Sequence, residues 1–292
     1  MSHVSLNKLE NKILFIKKNC NVPICIDTEG AQIRMKTSSP EKKRNIKTKS
    51  IVKIHKHKGN YNLYPEKVFD LIKERDLLDI GFEGLQLKVI EKNSNILKLI
   101  CTRSGTIENN KGVHLNNRKI QLDYVTDKDL EAIKIAKNHL LKNYALSFTN
   151  SKSDIDNFCK LLPNENKYFK IETLKGLKSI DYFFKKEKNF LIDRGDLSKD
   201  IGIENVPFAQ RLIFKKSKKS KKKIKIAVAT NFLETMIKNP YPTRAEVNDI
   251  YNSLEMGAKV LVLAGETAMG KYPIECVKIL TKIIKVFKKK NK

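Results

Sequence analysis

The first apolar positions, Leu6, Leu9, Ile13 and Ile16, recur at helical spacing, and Ser5 before them is a suitable N-cap. They predict an opening helix. The run PICID that follows is short, apolar and cut off by TEG, as expected of a buried strand ending in a loop. Residues 36–60 lose all periodicity. From Leu77 to Ile107 apolar and polar residues alternate, as in LQLKVIE and ILKLICT, with Gly81, Gly84 and Gly105 as punctuation. Period two of this kind predicts a small antiparallel β unit.

After Lys111 the pattern changes. Thr126 precedes a helical spacing of Leu130, Ile133, Ala136 and Leu140, with Asp129 placed as in a capping box. Strands and helices then alternate: YALSF, a helix near 155–162, YFKIE, a helix near 174–184, FLID, a helix near 207–214, IAVA, a helix from Thr243, VLVLAG, and a last helix from Pro273. The helix from Thr243 is well marked, since Thr243 and Glu246 form a capping box, Val247, Ile250 and Leu254 share a face, and Gly257 ends it. Repeated βα units with short apolar strands imply a parallel sheet covered on both faces, either doubly wound or closed as a barrel. Six strands are expected, and the β unit at about 36–112 reads as an insertion after the first.

With 40% hydrophobic residues in 292, the chain has material for a core, which excludes disorder. No apolar run approaches the roughly 18–20 residues needed to span a bilayer, so no membrane association is expected. The five cysteines are odd in number and form no CxxC pair, which suits reduced thiols in a cytoplasmic protein. The net charge of +27 invites a nucleic-acid reading, but only eight of the 59 basic residues are Arg and the lysines are spread along the chain. The densest stretch, Lys215 to Lys225, is expected to be a solvated loop, and no specific nucleic-acid partner is expected. So positive a field would still attract phosphorylated small molecules.

In parallel α/β folds the working residues sit just past the C-terminal ends of the strands. Polar residues gather there: Asp27 and Thr28, Lys170 and Glu172, Asp196, Thr230, and Glu266 with Thr267. One such carboxylate is ordinarily a helix cap, but several strand ends carrying Asp, Glu or Lys are harder to dismiss. Glu172 and Asp196 follow adjacent strands and could share a hard cation through oxygen ligands. Lys170, two residues before Glu172, points to the same side of its strand. A lysine beside two carboxylates and a metal suits phosphoryl transfer, which is mostly positioning and charge neutralisation.

The segments DTEGAQIR (27–34), NNKGVHL (109–115), KIET (170–173), RGDL (194–197), ATNFLETMIKNPYPTRAEVND (229–249) and AGETAMGKYPIECVKI (264–279) resemble those of the pyruvate kinase family, in order and spacing. The resemblance covers nearly the whole chain. NPYPTRAE and GETAMGKYP are its specific parts, whereas RGDL alone would carry nothing. It implies a (β/α)8 TIM-type barrel with a small β-rich lid domain inserted after the third strand. Met1, Ser2 and His3 fall on the tail of the family's Asn-x-Ser-His motif, so this chain would lack the first two strands, an essential arginine and the C-terminal regulatory domain. The boundaries expected are barrel at 1–35, lid at 36–112, barrel again at 113–287, and a basic tail at 288–292.

The resemblance further implies Mg²⁺-dependent (or Mn²⁺-dependent) transfer of a phosphoryl group between phosphoenolpyruvate and a nucleotide, yielding pyruvate and ATP from ADP in glycolysis, by a cytoplasmic homo-oligomer. Lys170 would neutralise charge on the moving phosphoryl group, and Glu172 and Asp196 would hold Mg²⁺. The Gly195–Asp196 backbone would receive the substrate carboxylate, and Thr230 would lie against the substrate near the carbon that gains a proton. Arg34 and Lys111 would contact the nucleotide phosphates, and His3 the nucleotide side of the cleft. Ser2, Asp27 and Thr28 would match a site for K⁺. Five positions depart from the family: Glu29, Ala31 and Gln32 in its DTKGPE segment, Asn231 for a glutamine, and Ala264 for a serine. A sixth, Asp193, replaces a small apolar residue and adds negative charge beside the carboxylate-binding turn. Gln32 argues against K⁺ dependence. Two alternatives stay open, a lyase-like reaction of the same enolate and a non-catalytic remnant. Arg34 and Lys111 discriminate, because only a nucleotide user needs them.

Overall fold

Six short strands lie side by side in the order in which the chain makes them in a computed structural model, which describes residues 1–2, 4–38, 43–81, 84–118 and 120–290. They are Cys25–Asp27, Asn143–Leu146, Asn166–Ile171, Asn189–Asp193, Lys225–Ala229 and Val260–Val262, each parallel to the next. A doubly wound sheet reverses its strand order at a switch point, and this one does not. The arrangement is that of a (β/α)8 barrel in which six of the staves are present, as expected. Its edges among the described residues are Cys25–Asp27 and Val260–Val262, and Val260 is 49% exposed. No helix among these residues is long and apolar enough to cross a membrane.

Two units divide the chain. The core unit holds residues 5–28 and everything from Lys128 onward, with Met1, and the second holds Glu29–Asp127 with Ser2 and Val4. In the core unit the opening helix is Leu6–Asn19, which buries Leu9 and Ile13. Ser5 has the extended backbone of an N-cap, but its hydroxyl donates to Asn7 at 2.6 Å instead of accepting from the helix. The helix Asp127–Asn138 buries Ala132, Ile133 and Ala136, whereas Leu130 and Leu140, expected on that face, are exposed. Leu140 lies beyond the helix with a φ of 57°, which turns it off the helical face.

Between sheet and helices lies an aromatic layer. Phe169 and Phe190, neighbours on adjacent strands, have ring centroids 5.9 Å apart. Phe158 meets Phe169 edge-on at 5.9 Å, and Phe184 meets Phe190 edge-on at 4.9 Å, geometries that favour the ring quadrupoles. Because side chains alternate along a strand, fixing Phe169 and Ile171 toward the helices turns Lys170 to the other face.

The basic stretch is only partly the loop expected. The helix Val206–Lys219 runs through its first half, and the next strand begins at Lys225. Lysines are favoured there because they face the negative end of the helix dipole, and Lys216 also pairs with Asp181 at 2.5 Å. Likewise the last helix, Pro273–Lys290, takes in Lys288–Lys290, which had been expected in a tail, while 291 and 292 lie outside the described residues.

The second unit is a closed barrel of seven strands, in the order Gly112–Leu115, Ile33–Thr37, Tyr61–Tyr64, Ile51–His55, Ile96–Arg103, Leu85–Lys92 and Leu77–Ile80. Leu87, Val89, Leu97 and Leu99 fill it, the inward members of the two alternating runs. It extends past the expected 36–112 at both ends, since Ile33–Thr37 and Gly112–Leu115 are themselves staves. The stretch that seemed aperiodic also holds strands. Lys43–Ile46 buries only Ile46, which leaves no alternation to see, while Ile51–His55 buries Val52 and Ile54 around an exposed Lys53.

Candidate active site

Lys170 and Glu172 sit where the strand Asn166–Ile171 ends, and the chain then turns at Thr173, whose hydroxyl accepts the Gly176 N–H at 3.0 Å and starts the helix Leu174–Lys178. On the next strand, Asp193 is the last residue and the N-cap of the helix Arg194–Ile201. These two strands are paired in parallel, so both turns open at the same end of the sheet. Nζ of Lys170 lies 2.9 Å from Oε1 of Glu172, 3.3 Å from Oδ2 of Asp193 and 3.3 Å from Oδ2 of Asp27. The carboxylates of Glu172, Asp193 and Asp196 converge, with one oxygen of each within 4.8 Å of the others. Lys199 pairs with Asp196 at 2.5 Å.

The electrostatics follow from burial and like charge. Burial by itself would lower the Lys170 pKa, but Glu172, Asp27 and Asp193 hold it well above the usual lysine value. Burial raises the Glu172 carboxyl, Asp193 and Asp196 raise it further, and Lys170 opposes them. Its Oε2 accepts the Phe148 N–H, while Oε1 is ion-paired with Lys170 at 2.9 Å. Four carboxylates here face two ammonium groups. These carboxyl groups offer hard oxygen donors, which fit a divalent cation of the Mg²⁺ or Mn²⁺ type.

Thr230 closes the site from the strand Lys225–Ala229. Thr230 and Asn231 have φ of 71° and 56°, a left-handed backbone that is costly for a β-branched residue and persists only when held. Arg194 holds it. Its Nε donates to the Thr230 carbonyl at 3.1 Å and Nη2 to the same oxygen at 2.5 Å. Nη1 reaches both oxygens of Asp249, at 2.8 and 2.6 Å, and the guanidinium lies 4.3 Å from the Phe232 ring centroid. The Thr230 hydroxyl accepts the Gly195 N–H at 2.9 Å and has its one proton for the Ala229 carbonyl at 2.6 Å or Asp193 at 3.4 Å.

Of the residues expected to act, Lys170, Glu172, Gly195, Asp196, Thr230 and Asp27 thus come together in the core unit. Thr28 is buried beside them, where its Oγ1 accepts the Ser147 N–H at 3.0 Å. Asp27 is already engaged on both oxygens, by Ser147 Oγ at 3.0 Å and by Lys170, and Ser2 belongs to the second unit. In the second unit Arg34 faces Gly112 across paired strands, next to Lys111. Arg34 donates to the Asn110 carbonyl at 2.8 Å and to Ser2 Oγ at 3.0 Å, and Lys111 pairs with Glu108 at 3.3 Å. His3 lies outside the described residues.

Two contributors were not among the expected site residues. Asp193 stood out in the sequence only as a departure, although a carboxylate at the end of a strand and the start of a helix is a signal in itself. Arg194 gave none, because its partners Thr230 and Asp249 are 36 and 55 positions away. Glu266 is buried and ties two loops together, accepting the Leu233 N–H at 3.3 Å and the Ala264 N–H at 2.7 Å, so it is a brace.

Residues 3–277 match the family model for the barrel domain of pyruvate kinase. Similar proteins include the pyruvate kinase of Thermotoga maritima, 35% identical over 308 residues that cover 99% of this chain and 64% of the relative. That of Methanocaldococcus jannaschii is 34% identical over 291 residues, covering 98% of this chain and 63% of the relative. That of Chlamydia muridarum is 32% identical over 281 residues, covering 92% and 57%. The chain therefore spans between 57% and 64% of the length of these three relatives.

Proposed function

Because this chain belongs to the pyruvate kinase family, we propose that its site transfers a phosphoryl group between phosphoenolpyruvate and a nucleotide of the ADP/ATP type. The observation that carries this reading is the buried Lys170 ammonium group set among the carboxylates of Glu172, Asp193 and Asp27. A moving phosphoryl group spreads negative charge over its oxygens, and a fixed cation in a dry site stabilises that charge without reorganising. Lys170 is that cation, and the surrounding carboxylates keep it protonated at neutral pH.

Glu172 and Asp196 would hold Mg²⁺ or Mn²⁺, which when bound neutralises charge on substrate oxygens. Thr230 lies against the substrate, held by Arg194 at its carbonyl and by Gly195 at its hydroxyl. Arg34 and Lys111 are proposed as the nucleotide-phosphate contacts of the second unit, where Lys111 directly precedes Gly112, the strand partner of Arg34.

The test is triphosphate formation from phosphoenolpyruvate and a panel of nucleoside diphosphates, with the wild-type chain and Lys170→Met. The reading expects turnover that falls by at least about two orders of magnitude in the variant, the scale of losing one preorganised charge. A well-folded wild-type chain that makes no triphosphate from any diphosphate would contradict it and favour enolate chemistry of another kind.

A further inference from the structure

The second unit contains a cavity of about 380 Å³ that the reaction proposed above leaves unused. Its walls are the strands Lys43–Ile46 and Ile51–His55, the turn between them, and the start of Tyr61–Tyr64. Alternation along Ile51–His55 buries Val52 and Ile54 in the barrel and turns Lys53 and His55 outward. The turn is pinned to the barrel wall. The Lys49 N–H donates to the Cys101 carbonyl at 2.8 Å, the Cys101 N–H to the Ser50 carbonyl at 2.9 Å, and the Thr48 N–H to Ser104 Oγ at 3.0 Å. The charge around this cavity has one sign. Arg44, Lys47, Lys53 and His55 line it, and no Asp or Glu does. Among the described residues the side chains of Arg44, Lys47 and Lys53 make no ion pair or hydrogen bond. Elsewhere in the unit lysines find carboxylates, as Lys56 does in Asp70 at 2.8 Å and Lys98 in Glu91 at 3.4 Å. Lys53 instead stands directly across the strand pair from Lys98, a like-charge placement that costs stability.

We propose that this cavity is an anion-binding site of its own, which takes a small molecule carrying a di- or triphosphate group. The Arg44 guanidinium is a planar fork that matches two oxygens of one phosphate, and Lys47 and Lys53 add point charges beside it. Three cations without counterions, carried on two strands and a pinned turn, answer several negative charges at once, more than a single carboxylate brings. The volume falls at the low end of the about 300–1,000 Å³ of small-molecule pockets, which suits a short phosphate chain. Such a ligand also supplies the counterion that Lys53 lacks beside Lys98. None of these residues belongs to the reaction proposed above, so the two readings stand or fall separately.

The experiment is calorimetric titration of the full chain with inorganic tripolyphosphate in metal-free buffer, with citrate as the carboxylate comparison. Wild type is expected to bind tripolyphosphate at least about tenfold more tightly than citrate, and Arg44→Gln and Lys53→Glu each to weaken it at least about tenfold. Lys111→Gln and Lys170→Met, which touch only the proposed reaction, should retain this binding. In Lys53→Glu the new carboxylate faces Lys98, so its thermal midpoint should equal or exceed that of wild type. Binding lost with stability kept separates a missing ligand contact from a damaged fold. Wild type that binds no tripolyphosphate would overturn the proposal, as would unchanged affinity in Arg44→Gln and Lys53→Glu, or a loss that follows Lys111→Gln or Lys170→Met instead. Citrate bound as tightly as tripolyphosphate would overturn the phosphate assignment, and a single-stranded oligonucleotide bound more tightly through the same residues would overturn the small-molecule one.

Discussion

Lys170 and Glu172, two positions apart at the end of one strand, meet at 2.9 Å with the glutamate side chain wholly buried. Neither would be stable there alone, since an unpaired buried charge costs several kcal/mol. Together with Asp193 and Asp27 they set one fixed cation among hard oxygen donors, and the donors suit a divalent ion while the cation suits the oxygens of a phosphoryl group.

Arg194 should matter for activity without touching substrate. Replacing it by lysine removes the forked grip on the Thr230 carbonyl and on Asp249, which a single ammonium group cannot reproduce. Arg194→Lys is expected to cost about 2 kcal/mol of stability and to lower kcat more than it changes KM. Urea unfolding and steady-state kinetics check this, and an unchanged kcat would remove the role assigned to the Thr230 backbone.

The second unit carries an independent charge pair whose pH dependence has a definite sign. Asp76 is 2% exposed in its side chain and takes Arg118 Nε at 2.7 Å and Nη2 at 2.6 Å. Burial would raise its pKa, but Arg118 and the Lys73 N–H outweigh burial and hold it below the usual carboxylate range. A carboxyl depressed on folding contributes its full stability above its unfolded pKa of about 3.9 and loses it as pH falls through the folded value. Asp76→Asn should cost about 3 kcal/mol at pH 7, and the gap to wild type should narrow steadily below about pH 4. Urea titrations across that range measure it. A gap that stays constant would mean that the pair does not set the acid limit of this unit.

Gly176 is a packing constraint. A Cβ added there would lie 2.5 Å from the Thr149 carbonyl oxygen, which is backbone and cannot swing aside. Alanine gains up to about 1 kcal/mol of helix propensity over glycine, but overpacking against fixed atoms costs about 1–3 kcal/mol. Gly176→Ala should therefore be destabilising on balance, with a lowered thermal midpoint. A raised midpoint would show that the Leu174–Lys178 helix can shift away.

Much of this was legible before any coordinates. The helix starting at Thr243 was readable because its capping box and its closing glycine are local signals, and both are formed, with Gly257 at a φ of 114°. The strand ends were readable because apolar runs stop at Asp, Glu and Lys, and those residues do converge. Lys43–Ile46 was hidden because a strand that pairs with only one neighbour and buries a single side chain has no alternation to display. The role of Asp193 was hidden for another reason. A carboxylate after a strand reads equally well as a cap, a ligand or an ion-pair partner, and here it contacts Asp196, Thr230 and Lys170 at once. Arg194 was invisible because its meaning lies in residues far along the chain.

The most direct measurement on the site is the binding of Mn²⁺ to the wild-type chain and to Glu172→Ala and Asp196→Ala, followed by the paramagnetic signal of the free ion. The account predicts one tight site in the wild type and at least about a tenfold loss in either variant, because each removes one charged oxygen ligand. Equal affinity in all three proteins, with each shown to be folded, would contradict it.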